Sequence, residues 1–130
     1  MTGPEMTGPE MTPPPLIDRA VLDDLFDCIE PEGARSVLDL FISESRIYLA
    51  TIAEAVAPGA DAGRRDRARR AAHSLKSGAG QIGAAALAAA AARVEHAAAT
   101  NAADLVQTVA RLDGCAADTV TALAPFLTDD

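Results

Sequence analysis

The chain contains one lysine, Lys76, which lies three residues after His73, one of only two histidines. All other basic side chains of the sequence are arginines or the second histidine. Residues three and four apart on a helix share a face, so His73, Lys76 and Ser77 would form one patch. This patch combines a nucleophilic imidazole, a mobile cation and a side chain too small to block access. These groups suit a histidine that carries a phosphoryl group.

The apolar spacing around His73 predicts that its imidazole is exposed. Apolar residues follow a 4-3-4-3 spacing, which is typical of a helix packed in a bundle; they are Ala68, Ala72, Leu75, Ala79 and Ile82. Each residue advances ~100° around a helix, which places His73 about 130° from the centre of the buried stripe. We therefore expect the ring to lie largely in solvent.

Glu95 is the predicted partner of this imidazole. The turn between the third and fourth helices is predicted at Gln81 to Ala84, and His73 and Glu95 are equally distant from residue 84. Residues equidistant from the turn of an antiparallel hairpin lie at the same height. The carboxylate can then accept a hydrogen bond from Nδ1–H, which fixes the tautomer and leaves Nε2 as the nucleophile.

Small residues follow the histidine on the same helix: Ser77, Gly78 and Gly80. Glycine within a helix costs ~1 kcal/mol relative to alanine, and this chain uses alanine freely. We therefore interpret these three residues as a low surface that a partner can approach closely, although Gly80 also prepares the helix end at Gly83.

Two arginines, Arg69 and Arg70, precede His73 by one helical turn. In an acidic protein they form a local positive patch that could steer an acidic partner. The second histidine, His96, adjoins Glu95 but has no zinc-ligand spacing, so we interpret it as a surface residue and predict no metal site.

The sequence predicts an all-α fold. The predicted helices cover residues 16–29, Pro31 to Ala57, Asp61 to Gln81, a segment after Gly83, and a last segment with Asn101 as N-cap and Pro125 as its boundary. Short loops between long amphipathic helices predict an antiparallel up-down four-helix bundle with an additional short N-terminal helix. Residues 1–15 repeat Met-Thr-Gly-Pro-Glu and are predicted to be a disordered tail, leaving residues 16–130 as the bundle domain.

Composition excludes several classes of function. A net charge of −8 and only four aromatic residues, three Phe and one Tyr, argue against nucleic-acid binding. We expect neither a signal peptide nor a membrane span, because no charged start with an apolar h-region and no apolar run of ~20 residues is visible. A soluble, cytoplasmic monomer is therefore expected. Cys28 and Cys115 have no metal-ligand spacing and are expected to be buried or half-buried free thiols in a reducing compartment. No phosphate-binding glycine loop or cofactor site is evident.

These residues together resemble the histidine-containing phosphotransfer (HPt) domain family of two-component phosphorelays. The family pattern is Ala-His-x-Leu-Lys-Gly followed by small residues and a Gly-Ala pair. Here it reads Ala72-His73-Ser74-Leu75-Lys76-Ser77-Gly78-Ala79, then Gly83-Ala84. The similarity extends over about residues 18–125. One departure is Ser77, which stands where the family usually has glycine.

The resemblance implies that His73 accepts a phosphoryl group from an aspartyl phosphate on one receiver domain and passes it to an aspartate on another. Lys76 would offset the phosphoryl charge and Glu95 would orient the ring. The protein would be a phosphoryl-group carrier without kinase activity or a cofactor of its own, with Mg²⁺ supplied by the receiver. Its partners would be response-regulator receiver domains and a (hybrid) histidine kinase.

Two other functions are compatible with the same helices. One is a non-transferring adaptor that docks on a histidine kinase or response regulator. The other is the dimerisation hairpin of a histidine kinase, which predicts a stable dimer and usually an acidic residue directly after the histidine, where this chain has Ser74.

Overall fold

The fold consists of α-helices joined by short connections. The computed structural model describes residues 13–128. Its α-helices are α1 (Arg19–Cys28), α2 (Pro31–Ala53), α3 (Ala62–Ile82), α4 (Ala85–Thr100) and α5 (Leu105–Leu123). Short 3-10 helices cover Glu54–Val56 and Ala124–Leu127. The predicted all-α bundle with a short first helix is confirmed.

The four long helices pack in sequence around one core. The helix α3 packs against both α2 and α4, α5 packs against α4, and contacts between α2 and α5 close the bundle. The largest fully buried side chains are Leu22, Leu38, Ile52, Leu75, Leu87, Val94, Leu112, Thr119 and Leu123. Burial of one such leucine contributes roughly 1.5–3 kcal/mol. The core is therefore continuous across all five helices, and α1 covers one end through Leu22.

Both ends of α3 are set by local chemistry. The side chain of Asp61 accepts a hydrogen bond from the backbone N–H of Arg64 at 2.9 Å, so it caps the start of the helix. At the other end Gly83 has φ of 89°, and a Cβ on it would lie 2.8 Å from the carbonyl oxygen of Asp18. Only glycine fits this left-handed, crowded position. The turn into α4 is therefore tight, and it fixes the register between the two helices.

The end of α4 differs from the prediction. Asn101 was expected to be the N-cap of the last helix, but it is the C-cap of α4, with φ of 51°. Its backbone N–H donates to the carbonyl of Ala98, and α5 begins only at Leu105. Asparagine favours both helix starts and the left-handed conformation at helix ends, which explains the error.

The other helix boundaries differ by a few residues. The first helix begins at Arg19, after the cap Asp18, and not at residue 16. The second α-helix ends at Ala53 and continues as the 3-10 helix, so it is shorter than the predicted span to Ala57. These differences do not change which faces are buried.

The predicted tail of residues 1–15 lies mostly outside the described residues. Its last three residues are described, and the carbonyl of Pro15 accepts a hydrogen bond from the backbone N–H of Ala86 at 3.0 Å. The chain thus contacts the start of α4 at Pro15, directly before the predicted domain start at residue 16. Within residues 13–128, no helix is long and apolar enough to cross a membrane.

Truncation of Leu75 should destabilise the bundle strongly. This side chain is fully buried on α3 between His73 and Lys76. We expect Leu75→Ala to lower the free energy of unfolding by roughly 2–5 kcal/mol, because it removes buried methyl groups and leaves a cavity. Urea denaturation followed by circular dichroism measures the change. Ser74→Ala, an exposed neighbour, is the control; an equal loss there would contradict the assigned core.

Candidate functional site

Three side chains meet on the surface between α3 and α4. The Nδ1 of His73 lies 2.9 Å from Oε2 of Glu95, and Nζ of Lys76 lies 2.9 Å from Oε1 of the same carboxylate. Glu95 thus bridges the two α3 residues, using one oxygen for each. The structure brings together the three residues that were predicted from spacing alone, and the height argument for Glu95 agrees with the observed contact.

Small residues in the helix interface allow this contact. The buried alanines of α3 and α4 are Ala68, Ala71, Ala72, Ala79, Ala90, Ala91, Ala97 and Ala98. The distance between helix axes depends on the side chains at the contact, so alanine permits a close approach. A carboxylate on α4 can therefore reach an imidazole on the neighbouring helix directly.

The hydrogen bond with Glu95 determines the chemistry of the imidazole. An ionised carboxylate only accepts hydrogen bonds, so Nδ1 carries the hydrogen and donates it. In the neutral ring the lone pair then resides on Nε2. The His73 side chain is 60% exposed, whereas that of Glu95 is 23% exposed. The ring is therefore held at one nitrogen and remains accessible to a reaction partner.

The carboxylate of Glu95 is kept ionised by its neighbours. The hydrogen bond from Lys76 is the largest cause that lowers the pKa of Glu95, and the hydrogen bond from His73 acts in the same direction. Partial burial raises the pKa and opposes them, but the net shift is downward. Lys76 therefore has a contact that the sequence did not predict, because it stabilises the negative charge that orients His73.

This shift leads to a prediction about acid stability. A depressed pKa in the folded state adds stability above the unfolded-state pKa, and this stability is lost as pH falls through the folded-state pKa. We expect the stability advantage of the wild type over Glu95→Gln to be present at about pH 5 and to shrink below about pH 4. Urea unfolding of both proteins across this range measures the advantage. An advantage that does not change with pH would contradict the lowered pKa.

The small residues near His73 lie in different environments. Ser77 is exposed, and a Cβ on Gly80 would have no atom within 4 Å, so both positions are open to solvent. A Cβ on Gly78 would lie 3.5 Å from the ring of Phe41 on α2. Gly78 therefore contributes to the contact between α2 and α3, and its place on a partner-binding surface remains a prediction.

The positive patch before His73 contains a carboxylate that the prediction omitted. Arg69 Nη2 lies 2.9 Å from Oδ1 of Asp66, and Arg70 Nη2 lies 3.2 Å from Oδ2. The hydrogen bond from Arg69 is the largest cause that lowers the pKa of Asp66. Asp66 lies three residues before Arg69 and four residues before Arg70, so the sequence spacing could have identified both ion pairs.

The second histidine and the two cysteines are not part of the contact between His73, Lys76 and Glu95. His96 is exposed and lines a shallow concavity together with Arg69, Lys76 and Glu95. Within the described part of the chain, no group of three or more His, Cys, Asp or Glu side chains could hold a metal ion. Cys28 and Cys115 are both free thiols; Cys115 is half-buried as predicted, whereas Cys28 is exposed, so the prediction of its burial is wrong.

The comparison with protein families identifies the class of protein. A family model described as the Hpt domain matches residues 36–124, which is more than half of the chain. The chain belongs to the Hpt domain family, whose members have a histidine phosphotransfer role in phosphorelays. The match includes His73, Lys76 and Glu95. Searches of curated proteins and of solved structures found no significant match.

Proposed function

We propose that the protein carries a phosphoryl group on His73 between two receiver domains of a phosphorelay. The observation that supports this most directly is the hydrogen bond from Nδ1–H of His73 to Glu95, combined with the exposure of the ring. A histidine held in this way has a defined nucleophilic nitrogen on an open surface. No residue of the chain needs to bind ATP, because the donor already carries the phosphoryl group.

The proposed reaction is a displacement at phosphorus. The lone pair of His73 Nε2 attacks the phosphorus of an aspartyl phosphate, the bond from phosphorus to the carboxylate oxygen breaks, and the aspartate leaves with that electron pair. The ring then carries a positive charge with its hydrogen still on Nδ1, and Glu95 stabilises this charge. The second transfer reverses these steps onto another aspartate.

Lys76 has two roles in this proposal. Its ammonium group lies one turn from the phosphoryl-accepting ring, so it can offset part of the phosphoryl charge during transfer. It also keeps Glu95 ionised through the 2.9 Å contact. Catalysis is then mainly positioning and charge stabilisation, as is usual for phosphoryl transfer. The Mg²⁺ required at the aspartate would be held by the receiver.

The surface beside His73 suits a receiver domain as partner. Phe41 on α2 lies beside Gly78 on α3. His73 precedes Gly78 by five residues, and because the two helices are antiparallel, it lies at the level of residue 46, five residues after Phe41. Exposed apolar side chains flank this level, with Leu40 58% and Ile47 65% exposed. Exposed apolar residues on α2 together with exposed arginines on α3 are a composition found in protein interfaces. We infer that receiver domains and the receiver of a hybrid histidine kinase dock here, in the cytoplasm.

Phosphoryl transfer from purified receivers tests this function. The protein is incubated with an aspartyl-phosphorylated receiver and Mg²⁺, and the acid-labile phosphate is located by mass spectrometry. We expect the label on His73 and its loss when a second, unphosphorylated receiver is added. Binding without any transfer of label would favour the adaptor function. A dimer by light scattering at micromolar concentration would favour the kinase hairpin, because we expect a monomer.

A further inference from the structure

Asp66 uses both carboxylate oxygens to hold the two arginines next to the reactive site. Oδ1 accepts from Nε and Nη2 of Arg69 at 3.2 and 2.9 Å, and Oδ2 pairs with Nη2 of Arg70 at 3.2 Å. All three side chains are more than a third exposed. The pairing is therefore accessible to a partner that approaches His73.

The position of Arg69 connects this ion-pair cluster to the reactive site. Arg69 precedes His73 by four residues and lines a concavity of about 430 Å³ together with Lys76 and Glu95. On its other side Arg69 lines a second concavity with Asp66 and Arg65. Residues four apart on a helix share a face, so an acidic group of a partner docked over His73 would come within reach of Arg69.

We propose that Asp66 competes with the acidic groups of the docking partner for Arg69 and Arg70, so that it limits which receivers bind tightly. This inference rests on the proposed function. In the free protein Asp66 reduces the charge of the cluster from two net positive charges to one. On docking, partner carboxylates replace Asp66 at Arg69 and Arg70, and this exchange favours only partners that present enough negative charge at that point. Asp66 is thus a specificity-determining residue that does not touch the phosphoryl group.

The substitution Asp66→Asn tests the competitor role. It removes the charge while it keeps the size of the side chain, and both arginines become available to the partner. The probe is the receiver that phosphorylates the wild type, used with beryllofluoride and Mg²⁺ as a stable mimic of its phosphorylated form. We expect the variant to bind about threefold to tenfold more tightly at ~50 mM salt, because charge complementarity governs association at low ionic strength. At ~500 mM salt the difference should nearly vanish, because exposed charges are then screened.

A matched control separates the local effect from net charge. Asp23→Asn makes the same charge change and breaks a similar pair, Arg19 to Asp23 at 3.3 Å, on α1. We expect its affinity for the probe to equal that of the wild type. Asp66→Ser repeats the charge change with a smaller side chain and should behave as Asp66→Asn does. Circular dichroism confirms that each variant is folded.

Two results would overturn the inference. One is an affinity of both Asp66 variants that is equal to or weaker than that of the wild type at low salt. The other is an equal gain in Asp23→Asn, which would make the effect one of net charge. Label on His73 of the wild type, measured in the same preparations, shows whether the proposed function stands. If that label forms while Asp66 has no effect, only the competitor role is wrong; if it does not form, both proposals fail.

Discussion

Replacement of His73 by glutamine should remove all phosphoryl transfer through this protein. Glutamine keeps polar atoms at the position but has no nucleophilic nitrogen, so no phosphoramidate can form. We expect the acid-labile label from a phosphorylated receiver to fall at least about 10³-fold, to the detection limit. Because His73 is 60% exposed, the variant should keep the helicity and the unfolding midpoint of the wild type within small differences.

His96→Gln is the matched control for this experiment. The chain has only these two histidines, and both are exposed on neighbouring helices. His73 is hydrogen-bonded to Glu95, whereas His96 only lines the adjacent concavity. We expect His96→Gln to accept and donate the label at the rate of the wild type. Label that persists in His73→Gln, or that is lost only in His96→Gln, would show that the assigned residue is wrong.

Lys76→Ala should give the second largest effect, a slower transfer in a folded protein. The substitution removes the cation that shares the Glu95 carboxylate with the ring, and with it the main cause that lowers the pKa of Glu95. We expect the single-turnover rate to fall roughly 10- to 100-fold, which corresponds to about 1.4–2.7 kcal/mol of transition-state stabilisation. Arg111→Ala, which removes one positive charge from α5, should transfer at the wild-type rate. An unchanged rate in folded Lys76→Ala would exclude a chemical role for the lysine.

A comparison with Glu95→Gln separates the two proposed roles of Lys76. Glu95→Gln keeps an acceptor for Nδ1–H but removes the charge, so we expect transfer to slow less than about 10-fold. If Lys76 acts on the phosphoryl group directly, Lys76→Ala should still slow transfer several-fold in the Glu95→Gln background. If it acts only by holding Glu95, the double variant should be no slower than Glu95→Gln alone. The proposal of direct charge stabilisation requires the first result.

The sequence contains enough information to pair His73 with Glu95. An α-helix rises by a constant ~1.5 Å per residue, so in a hairpin with a short turn the chain distance from the turn determines the height. Gly83 marks this turn in the sequence, and the 4-3-4-3 spacing of apolar residues on α3 shows which face is buried. Both signals are local and periodic. The fold class, the exposure of His73 and its carboxylate partner could therefore be predicted without coordinates.

The tertiary structure alone decides which neighbour lies on each flank of a helix. Spacing places Gly78 and Lys76 at opposite edges of the buried stripe of α3, but it does not state that α2 covers one edge and α4 the other. The packing of Phe41 against Gly78 and the pairing of Lys76 with Glu95 follow from that arrangement. Asn101 is ambiguous for a local reason, because its side chain suits a helix start and its backbone suits a left-handed helix end. Which helix covers each edge of α3 depends on contacts between helices that are distant in sequence, and the periodicity of a single helix contains no information about such contacts.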